Sequence, residues 1–212
     1  MFDVRCPGCG RRGWCPCPTC RAALRRPEPA HIASADSVTT LFAHDELGGR
    51  LIHAFKLHND RTIVRWLGES LGNALSVAGH HFDLVTWAPT TTAARRTRGF
   101  DQARLVAART SRVLRVPVRS TLRRESGTTQ HGRSRTHRLN GPTYSYTRTL
   151  HRRSVLLIDD VLTTGATLEA AASALRDAGA GHVHVAACSR AGHSFDQVVS
   201  IAADPPYSGP PV

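Results

Sequence analysis

A chain of 212 residues, 41% of them hydrophobic, can build one domain of about 150 residues with its own core, plus a small appendage. No run of about 18 apolar residues occurs and the N-terminus, MFDVRCPGCG, has no signal-peptide stretch, so no membrane insertion is expected and a cytoplasmic location is. The net charge of +12 points to anionic partners, whether pyrophosphate compounds, nucleic acid or both.

Five of the six cysteines fall within residues 6–20. Cys6-Pro-Gly-Cys9 and Cys17-Pro-Thr-Cys20 are two C-x-x-C knuckles, and such a pair supplies four thiolates to one tetrahedral Zn²⁺. In a cytosolic chain this spacing favours a metal over disulfides. The segment has few apolar residues to fold around, so a structural Zn²⁺ would supply its folding free energy. Cys15 leaves an alternative open, since it can replace Cys17 as a ligand or remain a spare thiol. Residues 1–26 are therefore expected to be a four-cysteine zinc module.

Residues 27–43, and PEPAHIASADS in particular, read as a linker to a main domain over 44–190. Leu47, Leu51, Ile52, Phe55 and Lys56, the chain's single lysine, fit a helix over 44–58. Ile63, Leu67, Leu71 and Leu75 fit another over 60–78. Asp83 to Ala88 reads as a strand closed by Pro89. An arginine-rich loop follows at 90–99, then a helix over 100–114 and a short strand near 116–118. Residues 123–140, RRESGTTQHGRSRTHRLN, lack apolar periodicity. They are expected to be a mobile lid or binding loop, with a solvated surface loop as the alternative. Cys188 ends another predicted strand as a small buried residue. The tail, 191–212, ends in nine residues that include four prolines, and disorder is expected there.

The stretch VLLIDDVLTTGAT, residues 155–167, carries the chemistry. Val155 to Ile158 fit a buried strand of a parallel sheet, and Asp159 and Asp160 arrive where it should end. Thr163, Thr164, Gly165 and Thr167 then lead into a helix with Leu168, Ala171, Ala172, Leu175 and Ala178 at helical spacing, stopped by Gly179. Backbone N–H groups at a helix start favour a phosphate, and glycine lets a backbone close on it. The threonines offer hydroxyl donors. The acid pair suits a vicinal diol or the water shell of Mg²⁺. Diol and phosphate together describe a ribose 5-phosphate. The absence of Gly-Lys-Ser/Thr excludes a P-loop, and the Gly-x-Gly at 179–181 follows a helix, which is the wrong context for a dinucleotide site.

This segment resembles the 5-phosphoribosyl-1-pyrophosphate (PRPP) motif of type I phosphoribosyltransferases. The resemblance implies an α/β fold with a parallel sheet flanked by helices. It also assigns ribose and phosphate binding to Asp159, Asp160, Thr163, Thr164, Gly165, Ala166 and Thr167. The zinc knuckles, the Lys56 helix, Arg98-Gly99-Phe100-Asp101-Gln102, Gln130, Arg138-x-Asn140 and the PRPP motif occur in the order seen in the ComF family. That family comprises phosphoribosyltransferase-fold proteins associated with DNA uptake in competent bacteria. Two positions depart from its pattern. Asp101 stands where the family usually has asparagine, and Trp87-Ala88-Pro89 where it usually has Pro-x-Pro. Beside a pyrophosphate, the extra carboxylate of Asp101 is expected to repel the anion unless it pairs with an arginine or binds the metal.

The resemblance implies transfer of phosphoribose from Mg²⁺-PRPP to a nitrogen nucleophile, with Asp159 and Asp160 fixing the ribose at the reacting centre. Lys56, Arg95, Arg96, Arg98, Gln130 and Arg138 are the candidates for pyrophosphate or lid contacts. Three functions compete: a transferase of unknown acceptor, a protein handling single-stranded DNA as part of the uptake machinery, and a PRPP-sensing regulator.

Overall fold

The computed structural model describes residues 4–58, 61–125 and 141–192. Strands β1 (Ser37–Ala43), β2 (Leu84–Trp87), β5 (Ser154–Leu162) and β6 (His182–Arg190) form one sheet, in the order β1-β6-β5-β2, with every pairing parallel. A short antiparallel pair, β3 (Leu122–Arg124) and β4 (Tyr144–Tyr146), stands apart, and a short helix, α1 (Pro18–Ala22), lies in the N-terminal segment. The central strands are nearly continuous apolar runs because both faces are covered. Leu156, Ile158, Ala186 and Cys188 meet one layer, built from α2 (Glu46–His58), α3 (Arg61–Val77) and α5 (Gln102–Leu114). Val155, Leu157, Val183, Val185 and Ala187 meet the other, where α6 (Ala166–Asp177) and the β3–β4 pair lie. Strand alternation thus splits one apolar run between two cores.

The four helices read from periodicity are present within a few residues of the expected bounds. Three expectations are corrected. Residues 37–43, placed in a linker, form edge strand β1, with Ser37 opposite His184. The stretch before it is tied down too: Ile32 is buried, and the Ser34 N–H and hydroxyl donate to Glu169. The 90–99 loop contains α4 (Thr92–Arg98), capped by the Thr91 hydroxyl and ended by Gly99 in the left-handed region. The expected strand at 116–118 is reduced to a single bridge between Val118 and Val85. Gln130, Arg138 and Asn140, and the tail beyond 192, lie outside the described residues. Among the described residues no helix is long and apolar enough to cross a membrane.

Candidate functional site

The acid pair lies inside β5, because the strand continues past the expected end at Ile158 to Leu162. Asp159 and Asp160 are half-buried, and alternation sends them to opposite sides of the strand. Asp160 meets α2, where the Lys56 ammonium stands 3.1 Å from its Oδ2. The Asp160 N–H donates to Asp159 Oδ1 at 2.8 Å. Burial, reinforced by the charge of Asp160, pushes the Asp159 carboxyl well above its ordinary range.

The turn after β5 is built for a tight corner. Gly165 is buried with φ of 84°, a conformation that disfavours any side chain. A Cβ added there would lie 2.8 Å from Ile32 Cδ1. The clearance expected on the ligand side is therefore needed on the protein side. Thr164 Oγ1 accepts from the Ala166 N–H at 3.4 Å, so its hydroxyl serves the first turn of α6. Thr163 and Thr167 line an open cleft of about 240 Å³ together with Asp159 and Asp160.

The other walls of that cleft come from Lys56, from Ala88, Pro89 and Thr90 after β2, from Asp101 and Gln102 at the start of α5, and from Arg124 and Tyr144. Asp101 is held by backbone donors. Its two oxygens accept from the backbone N–H groups of Thr90, at 3.2 Å, and Arg104, at 3.4 Å. It caps α5 and fastens the 88–90 turn, and burial raises its pKa. Trp87 lies outside the lining, with the Arg104 guanidinium 5.9 Å over its ring.

Of the expected cleft residues, Lys56, Asp159, Asp160, Thr163 and Thr167 converge. Arg95 and Arg96 are exposed on α4 and do not line the cleft, and Arg98 ends that helix. Three residues here escaped sequence reasoning. Tyr144 donates its hydroxyl to the Pro89 carbonyl at 3.4 Å, and burial pushes its phenol up to about 12. The Arg124 guanidinium lies 5.9 Å over the Tyr144 ring. His44 follows β1 and shares a hydrogen bond with the Ser189 hydroxyl at 2.9 Å; burial, then the nearby Lys56 charge, lowers its pKa. Arg124 belongs to the basic run that opens at 123, which was the one signal available. The three-residue YSY strand is too short for periodicity to reveal.

A second site lies in the N-terminal module. The Sγ atoms of Cys6, Cys9, Cys17 and Cys20 all lie within 4.8 Å of one another and can hold a metal ion. Tetrahedral Zn²⁺ with bonds of about 2.3 Å needs sulfurs roughly 3.8 Å apart, and Cys9 and Cys17 stand at 3.6 Å. The Cys17 N–H donates to Cys6 Sγ at 3.3 Å. Burial opposes the Cys6 thiolate, but donors from Cys17, Cys9 and Gly8 outweigh it and bring its pKa to about 6. The donor set fits Zn²⁺. Cys15 is not in the group; it is buried in the main core with Phe42 and Leu51. Only glycine fits at position 8, where a Cβ would lie 2.8 Å from both Cys20 Sγ and Leu47 Cδ1. Leu47 of α2 thereby seals the cluster against the main domain.

No curated protein matches the chain. Among solved structures it is similar to a purine phosphoribosyltransferase from Pyrococcus horikoshii Ot3, with 19% identity over 60% of this chain and 73% of that one, and a TM-score of 0.39. It is also similar to the allosteric regulatory enzyme of purine biosynthesis, with 22% identity over 59% of this chain and 26% of that one, and a TM-score of 0.41. A third is a hypoxanthine phosphoribosyltransferase from Staphylococcus aureus, with 14% identity over 58% and 61% of the two chains, and a TM-score of 0.38. The family model described as phosphoribosyl transferase domain matches residues 94–200, half of the chain, and covers β5, the acid pair and α6. The chain belongs to the phosphoribosyl transferase domain family.

Proposed function

We propose that the cleft binds Mg²⁺-PRPP and that the protein transfers the phosphoribosyl group to a nitrogen nucleophile. The observation that carries this is the meeting of Asp159, Asp160, Thr163, Thr167 and Lys56 in one cleft at the carboxyl ends of parallel strands. Asp159 and Asp160 accept from the ribose hydroxyls. Thr163, Thr167 and the backbone of Gly165 and Ala166 face the 5-phosphate at the start of α6. The Thr90 turn, with Arg124 beyond it, faces the pyrophosphate as the C1–O bond loosens, and these groups stabilise charge without a covalent intermediate. Mg²⁺ carried in with PRPP supplies charge neutralisation at the pyrophosphate.

Zinc in the four-cysteine module, membership of the ComF branch, a cytoplasmic location and a role in DNA uptake belong to the same proposal, supported by the order of motifs. The charge of +12 supports direct binding of single-stranded DNA by the same protein.

Calorimetry with Mg²⁺-PRPP tests the reading. Wild type is expected to bind, and Asp159→Asn with Asp160→Asn to weaken binding at least tenfold, since hydrogen bonds to charged acceptors contribute roughly 1.5–3 kcal/mol each. No heat and no thermal shift at millimolar ligand rejects it. Binding without pyrophosphate release across a panel of bases and amines favours the sensor. No oligonucleotide binding at low salt removes the DNA part.

A further inference from the structure

Lys56 stands out twice, as the only lysine among 28 basic residues and as the group placed on Asp160. We propose that Lys56 is the selectivity residue of the cleft. In the free protein it covers Asp160, and it leaves that carboxylate for the pyrophosphate of an incoming ligand, so that a ribose phosphate lacking pyrophosphate is held weakly. This rests on reading the cleft as a PRPP site.

The geometry sets up an exchange. Asp159 Oδ1 already accepts the Asp160 N–H at 2.8 Å, and Asp160 Oδ2 already faces the ammonium at 3.1 Å. A diol that needs Asp160 Oδ2 must displace the ammonium. The side chains of the pair are 34% and 16% exposed, so water screens the separated charges incompletely. A displaced ammonium needs a new anionic partner. PRPP brings one at C1, whereas the single phosphate of ribose 5-phosphate is taken by the 163–167 turn.

The residue type suits that motion. A lysine is a point charge on a flexible four-carbon stem, whereas an arginine would grip both Asp160 oxygens with its planar fork. The backbone beneath it is fixed, because Leu51, Ile52 and Phe55 of the same helix are buried in the core. Only the side chain has to swing. When transfer is complete the nucleotide product has no pyrophosphate, so Lys56 returns to Asp160 and competes with the ribose, which favours release.

The test measures two ligands, Mg²⁺-PRPP and ribose 5-phosphate, on wild type, Lys56→Met and Lys56→Arg by calorimetry. In Lys56→Met, PRPP binding is expected to fall by about tenfold or more while ribose 5-phosphate binds several-fold tighter, so the preference collapses. In Lys56→Arg both ligands are expected to bind more weakly. A lysine that merely attracted pyrophosphate would leave ribose 5-phosphate unchanged in Lys56→Met, and that result overturns the exchange. So does an equal loss for both ligands in Lys56→Met, or wild-type behaviour in Lys56→Arg. Wild type binding neither ligand rejects the cleft reading itself, a distinct failure.

Discussion

Gly165 separates two ways in which a motif residue can matter. Its position in the PRPP-like turn suggests clearance for a ligand, yet the space a side chain would need is filled by Ile32 from within the fold. Gly165→Ala is therefore expected to cost stability, about 1–3 kcal/mol from the left-handed backbone and the contact together, read from the denaturation midpoint. Adding Ile32→Ala should relieve the contact and leave the backbone cost. A Gly165→Ala protein as stable as wild type that has lost PRPP binding would restore the ligand-side explanation. Asp101 teaches the same lesson. Its charge looked hazardous for an anion site, whereas its oxygens are committed to two backbone N–H groups.

At the scale of elements, the four-cysteine module separates ligands from look-alikes. One Zn²⁺ per chain is expected on metal analysis, lost in Cys6→Ser and Cys20→Ser. Cys15→Ser should keep the metal and destabilise the main core instead, by about 1–3 kcal/mol for a buried hydroxyl. Metal loss in Cys15→Ser with retention in Cys17→Ser would reverse the assignment. The helices were legible because Ile63, Leu67, Leu71 and Leu75 repeat at a helical period, and β5 because Val155 to Ile158 is apolar throughout. β1 was not: Ser37, Thr39 and Thr40 make it too polar for a buried strand, which an edge position tolerates. Local polarity at Asp159 suggests a turn, but pairing with Ala187 and Ser189 of β6 extends β5 past it. In the cleft, Asp160 and Lys56 were legible as residue types. Their contact was not, because it depends on the packing of α2 against the sheet.

Across the whole molecule, the opposite end of the sheet gathers histidines. The His184 ring, buried against Phe82 and 4.6 Å from the His80 ring, shares a hydrogen bond with Ser37 at 2.8 Å. Beside it, Asp36 accepts from Arg176 and from the Val183 N–H, both at 2.7 Å, and faces His182 at 3.6 Å. Burial, followed by His80, lowers the His184 pKa from 6.5, as burial does for His44. A lowered pKa means that protonation favours the unfolded chain, so this stability is complete above about 6.5 and is lost as pH falls through the lower folded value. The melting temperature is expected to hold from pH 7 to 8 and to decline below about 6.5. His184→Asn should flatten that decline, and an unchanged slope would discount the cluster. Asp36 and Asp83, whose pKa values are depressed, add a loss only at more acidic pH.

β1 gives the molecule a particular order of assembly during synthesis. Among the described residues its strand partner is β6 alone, and Ser37 waits 147 residues for His184 to leave the ribosome. Closing so long a loop is entropically slow, and until it closes the edge strand and the α2 that follows it have no sheet to rest on. Lys56 and Asp160 can therefore face each other only after nearly all of the described chain has been made. The nascent protein is then without this cleft until β6 closes the sheet.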